Sequence, residues 1–239
     1  MNKVIVSDSA ANASRVAYIY NALSVRLPAG YPFPGVSFGD RAVLTAEEKY
    51  APVYFRLAGE SIAESIAVGL KYRVLSAALP LPRLSAAQRE LFLYALISAD
   101  LPLDKKYVTA GLKGMDTVAL DGFYTFRLGE LKRKWEKIVS CVPDDFSGEE
   151  LQRFMLYLVE DNSSRVYVEE GRVYDEKYRL LRLGSLVGAK GESRTVAELL
   201  LSGAKEVCVR TDEGNLVMEF LKNYYAGRTV FYGKKEKNS

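Results

Sequence analysis

Between Glu206 and Tyr232 the chain places two extended apolar runs on either side of one helical stretch. Glu206-Val-Cys-Val-Arg210 and Thr229-Val-Phe-Tyr232 carry the β-branched and aromatic residues of strands. Asn215 to Tyr225 between them has helical spacing and is terminated by Gly227. Strand, helix and strand in so short a span suggest a βαβ crossover, which lays the two strands parallel. Just upstream, Arg165-Val-Tyr-Val-Glu169, Glu170-Gly171 and Arg172-Val-Tyr174 read as a hairpin. Thr195 and Glu198 suggest the cap of a short helix that Gly203 closes. Cys208, flanked by Val207 and Val209, reads as an inert thiol in a buried strand.

The N-terminal part alternates in the same way. Lys3–Val6 is a strand pattern, and Ala13 to Leu27 carries Val16, Ile19, Tyr20 and Leu23 at helical spacing. A proline- and glycine-marked loop leads to Val36–Leu44, an extended run turning at Gly39-Asp40. Pro52–Leu57 reads as a second extended run, because residues next to proline resist the helix.

The middle is helical. Ser61 to Leu79 aligns Ile62, Ile66, Leu70 and Val74 before Pro80. Ser85 with Gln88 forms a capping box for a helix ending near Ala99, and residues 100–104 read as a break. Asp121 is placed to cap one further helix carrying Phe123, Phe126, Trp135, Ile138 and Val142 up to Pro143. Ser147 and Glu150 make a second capping box, with Phe146 placed to staple onto Leu151. The helix that follows buries Leu151, Phe154, Met155, Leu158 and Val159 and ends at Asp161-Asn162.

These patterns describe an α+β protein. A small N-terminal α/β unit covers residues 1–58 and a helical region 59–162. A C-terminal hairpin plus βαβ-like unit covers 163–233, and a disordered tail 234–239.

The residue counts exclude several chemistries. The chain has no histidine and two cysteines. Ser-His-Asp and Cys-His catalysis are therefore ruled out, as are zinc sites that need imidazole or four thiolates. No cofactor or metal site is expected. Few cysteines fit a reducing compartment, and the start of the chain lacks the pattern of a signal peptide, so a cytoplasmic location is expected. With 33 basic and 30 acidic residues, overall charge does not argue for a nucleic-acid partner.

Four features are candidates for function. Arg127, Arg133, Lys134 and Lys137 fall on overlapping helical positions, a candidate surface for an anionic partner; a solvated face opposite Trp135 is the plainer reading. Gly184–Gly191 is glycine-rich but has the wrong spacing for a phosphate loop. The pairs Asp144-Asp145, Glu149-Glu150 and Glu160-Asp161 sit where helix capping accounts for them, with acid–base chemistry as the alternative. Of 16 tyrosines, Tyr167, Tyr174, Tyr178, Tyr224, Tyr225 and Tyr232 gather in the last third. On a sheet face such rings stack on bases or fill interfaces, although the pattern of an RNA-recognition motif is absent.

Gly122-Phe-Tyr-Thr-Phe126-Arg127-Leu128, Leu151–Val159 and the Val166-Tyr-Val168 strand together resemble the YtxC-like family of putative sporulation proteins. The likeness spans roughly residues 60–233 and is clearest over 120–170. Leu131, where an aromatic is expected, and Tyr157-Leu158, in place of Tyr-Phe, depart from the family pattern. The resemblance implies a cytoplasmic protein of endospore-forming Firmicutes, and it brings no catalytic residues. The expectation is a non-enzymatic protein acting through contacts with an unknown protein partner, with homo-oligomerisation left open. Nucleic-acid binding through the basic helix face and a carboxylate-based enzyme are the alternatives.

Overall fold

The computed structural model describes residues 2–210 and 214–232, and they form an α+β chain with two four-stranded mixed sheets. The expected tail at 234–239 lies outside the described residues. The chain divides into two compact units, each assembled from two stretches. One is Met1–Leu75 with Leu101–Cys141; the other is Ser76–Asp100 with Val142–Ser239. Residues of the 59–162 helical stretch thus contribute to both.

In the first unit, β1 (Asn2–Ser9) leads through a 3-10 turn into α1 (Ala13–Arg26). β2 (Gly35–Phe38) and β3 (Arg41–Glu47) form the expected hairpin, and α2 (Ala51–Glu64) follows. A π-helical turn, Ser65–Leu70, joins α2 to α3 (Lys71–Ala78). After α4 (Ala86–Gly111) come β4 (Val118–Ala119), α5 (Leu120–Arg127) and α6 (Gly129–Cys141). The sheet order is β2-β3-β1-β4, with β4 parallel to β1 and the other pairs antiparallel. Ile5 and Val6 of β1 and Ala42 and Leu44 of β3 are buried, as are Val16, Ile19 and Leu23 of α1 and Tyr54 and Ile62 of α2.

Three expectations are overturned here. Pro52–Leu57 is the first part of α2, not an extended run. Its proline is the second residue of the helix, in the opening turn where no backbone N–H is required. The break at 100–104 is absent, because α4 runs straight through Pro102. Proline there forfeits one helical hydrogen bond, but Leu101, Asp104 and Val108 are buried on the continuing helix, and that packing offsets the loss. The single helix after Asp121 is two helices, parted at Leu128-Gly129, and Phe126 is 84% exposed rather than in the core. Asp121 lies in the first turn of α5 and binds Arg41.

In the second unit, α7 (Gly148–Asp161) precedes β5 (Ser164–Glu169) and β6 (Arg172–Tyr174). Then come a 3-10 turn at Leu183–Val187, α8 (Gly191–Leu201), β7 (Ala204–Arg210), α9 (Asn215–Tyr224) and β8 (Thr229–Tyr232). The order is β6-β5-β7-β8; β5, β7 and β8 are parallel, and β6 is the antiparallel hairpin partner of β5. The expected crossover is therefore β7-α9-β8. Both capping boxes form: the Gln88 amide N–H donates to Ser85 Oγ and the Glu150 amide N–H to Ser147 Oγ, each at 3.3 Å, and both side chains reach back. The Phe146 ring lies 4.3 Å from that of Phe92.

One side of this sheet carries Val166, Val168, Val207 and Val209, all buried, as are Leu199 and Leu200 of α8 and Phe220 and Leu221 of α9. Thr195 and Glu198 do not cap α8. The helix begins four residues before Thr195, at Gly191, which places both residues inside it and buried.

Candidate functional site

The basic residues do not share one helix face. Arg127 ends α5, whereas Arg133, Lys134 and Lys137 lie beyond the Leu128-Gly129 break on α6. Two of these charges are already partnered. Lys134 Nζ is 2.8 Å from Asp104 Oδ1, and Arg133 is bonded to Glu130 one turn away. Arg127 and Lys137 are exposed. Trp135 is fully buried, and its Nε1 donates to the same Asp104 carboxylate as Lys134.

The glycine-rich segment packs against α8. Gly184 is buried, and a Cβ on it would stand 3.1 Å from the Arg194 carbonyl. The acidic pairs at 144–145 and 160–161 are exposed. Glu150 sits in its capping box, where the Ser147 amide and hydroxyl hold its carboxyl below the usual range.

The tyrosines do converge. Alternation along each strand sends every second side chain of the second sheet away from the valine side. Register then aligns Tyr174, Tyr167, Cys208 and Val230 across the four strands. Beside this row lie Arg165 and Glu206, paired at 2.8 Å, and on its other side Arg172, Glu169, Arg210 and Tyr232. Tyr178, in the connection after β6, stacks on Tyr174 with centroids 4.9 Å apart and an interplanar angle of 14°. It also meets Tyr167 at 5.5 Å. Asp175 braces this connection: Oδ1 accepts the Lys177 and Arg179 amides, and Oδ2 accepts Arg179 Nε at 2.8 Å.

The cluster is tied together by one carboxylate. Both Tyr178 and Tyr232 donate their hydroxyls to Glu169, Tyr232 at 2.9 Å. These bonds hold the Glu169 carboxyl low, and the bond to Glu169 pushes the Tyr178 hydroxyl up to about 12. Tyr178 and Tyr232 are therefore neutral donors to Glu169. Tyr178 remains 51% exposed, and Tyr167, Tyr174 and Tyr232 are half-buried. Cys208 shares this side. It is half-buried rather than in the core, because its parity is opposite to that of Val207 and Val209. Tyr224 and Tyr225 end α9 instead, and Tyr225 is wholly buried.

No family model, curated protein or solved structure matches this chain.

Sequence reading missed the buried ionic clusters. Asp104 accepts from Lys71 Nζ at 2.9 Å, Lys134 Nζ at 2.8 Å and Trp135 Nε1 at 3.0 Å, which joins α3, α4 and α6. Lys71 and Asp104 are both fully buried, and these bonds use both carboxylate oxygens. In the second unit Glu198 is 3% exposed, with Arg194 Nε 3.8 Å away and neither carboxylate oxygen in an aligned hydrogen bond. Asp8 and Arg15 form a third buried pair. Separations of up to 63 residues, as between Lys71 and Lys134, leave no local signal in the sequence.

Proposed function

We propose that this chain is a non-enzymatic protein that acts through contacts with another protein, made by the tyrosine side of its second sheet. The observation that carries this reading is the row Tyr174-Tyr167-Cys208-Val230 with Tyr178 stacked on it, half-exposed and braced through Glu169 and Asp175. Rigid tyrosines with neighbouring arginines are the side chains that dominate protein interfaces, because they bury much area at little cost in side-chain entropy. The charges around the row favour a protein over a polyanion. Arg165 faces Glu206, and Arg210 lies 4.0 Å from Glu170, so the arginines are offset by acids. Nucleic-acid sites instead concentrate unbalanced positive charge.

A role in sporulation rests on the resemblance to the YtxC-like family, which makes sporulating cells the source for a test. Wild-type protein and a Tyr167→Ala/Tyr178→Ala variant are used as bait side by side, with circular dichroism to show that both are folded. A partner recovered by the wild type and lost with the variant supports the reading. Equal recovery by both refutes it. Tight, steeply salt-dependent binding of a single-stranded RNA oligonucleotide, abolished in the same variant, would replace it with base stacking.

A further inference from the structure

The two edges of the second sheet differ. Beyond β6 the returning chain closes the ladder: Tyr174 bridges Leu180, and the Leu181 amide donates to the Val173 carbonyl at 2.8 Å. Beyond β8 no further strand pairs among the described residues. The Val207 amide donates to the Arg228 carbonyl at 3.0 Å, and in the parallel register that follows, the N–H and C=O of Val230 turn toward β7. The N–H and C=O groups of Thr229 and Phe231 therefore point outward, with no backbone partner among the described residues. Such an edge is a template for another strand, and proteins usually blunt it with lysine, proline or a bulge. β8 carries none of these, and its Val230 and Phe231 are 48% and 53% exposed.

The two faces at this edge are distinct. Val230 shares the tyrosine side with Cys208, whereas Phe231 shares the side of Val209, which α9 covers. Between β8 and α9 runs a groove lined by Phe231, Met218, Leu221 and Tyr225, with the exposed Glu219 and Lys222 along it.

We infer that β8 is a self-association edge, which pairs antiparallel with β8 of a second copy about a two-fold axis at Val230. The outward groups fix that register. In an antiparallel ladder, residues that exchange both main-chain hydrogen bonds stand opposite each other, so Thr229 faces Phe231 of the second copy and Val230 faces its own counterpart. A two-fold contact has to be self-complementary, and the charges along the groove meet that condition. The axis sets α9 antiparallel to its copy on the same side of the joined sheet, which brings Glu219 of each toward Lys222 of the other and covers both Phe231 rings. On the opposite side the row Tyr174-Tyr167-Cys208-Val230 continues into the row of the second copy. The pairing uses the edge of the sheet and leaves the tyrosine face open, so it does not depend on that face having a partner of its own.

The test is sedimentation equilibrium of the full chain from about 1 to about 100 μM, with circular dichroism to show that each variant is folded. The expected result is a reversible monomer–dimer equilibrium within that range. Phe231→Pro removes an outward N–H and the ring but none of the bonds to β7, as proline at a sheet edge permits, and should weaken the dimer at least about tenfold. Glu219→Lys should also weaken it, and Glu219→Lys combined with Lys222→Glu should restore it. Tyr167→Ala/Tyr178→Ala leaves the edge intact and should dimerise like the wild type. A chain that stays monomeric throughout overturns the proposal, as does a folded Phe231→Pro variant that dimerises like the wild type, or a charge swap that restores nothing. A dimer lost with Tyr167→Ala/Tyr178→Ala instead moves the contact to the tyrosine face and overturns the edge pairing.

Discussion

Glu198 makes the stability of the second unit depend on pH in the direction opposite to that of an ordinary paired carboxylate. It lies within α8 beneath the Leu183–Val187 turn, 3% exposed. Burial pushes its carboxyl up from the ordinary 4.5 to about 7, against a partial pull downward from the Gly184 amide and Arg194. A raised folded-state value means that folding favours the protonated form. The ionisation of Glu198 therefore costs no stability at pH below 4.5, where folded and unfolded chains both hold the proton. As pH climbs from there to about 7, the unfolded chain releases its proton first and the native state loses stability. At about 1.4 kcal/mol for each tenfold difference in proton affinity, the interval from 4.5 to about 7 amounts to roughly 3 kcal/mol. Glu198→Gln keeps the shape and removes the titration. Urea unfolding followed by circular dichroism, from about pH 4 to about pH 8, should give matched stabilities at the acid end and a variant more stable by roughly 3 kcal/mol at the alkaline end. Taking the difference between the two proteins cancels every other titrating group they share. A difference that stays flat, or that favours the wild type as pH rises, would refute the reasoning.

Three further predictions concern stability, each read by urea unfolding. Asp104→Ala removes the acceptor that Lys71, Lys134 and Trp135 share, and should cost about 3–5 kcal/mol. Ser147→Ala opens the capping box of α7 and should cost about 1 kcal/mol. Glu170 holds φ at 52° beside Gly171 in the hairpin turn, a conformation that asparagine tolerates better, so Glu170→Asn should stabilise by about 0.5 kcal/mol.

Features readable from the sequence were those set by neighbouring residues. Ser85 with Gln88 and Ser147 with Glu150 each complete a hydrogen-bonded box within one helical turn, so the helix starts at 86 and 148 follow from local chemistry. The valine alternation of 166–168 and 207–209 located two strands, but their buried side was not read from it. That same alternation, followed one residue further, would have taken Cys208 out of the core. The proline arguments failed at 52 and 102 because proline acts on the turn before it, and in α4 burial of the following turn outweighed that local cost. The tyrosine cluster was visible as a concentration of rings, but its membership depended on strand register, which separated Tyr232 from Tyr225. The Arg41–Asp121 pair spans 80 residues, and only the folded sheet edge brings it together.

The interleaving of the two units has a consequence for how the chain is made. Residues 76–100 leave the ribosome before 101–141, yet their partners in the second unit begin only at 142. The first unit can close, with β4 beside β1, while Phe92, Leu93 and Ile97 still wait for the surfaces that will bury them. The Ser85–Gln88 box favours a helix start in this waiting segment but does not replace the packing that holds it. During that interval its apolar face is left uncovered. A stop at any single point before 142 yields at most one finished unit, and a C-terminal fragment beginning after residue 100 contains neither.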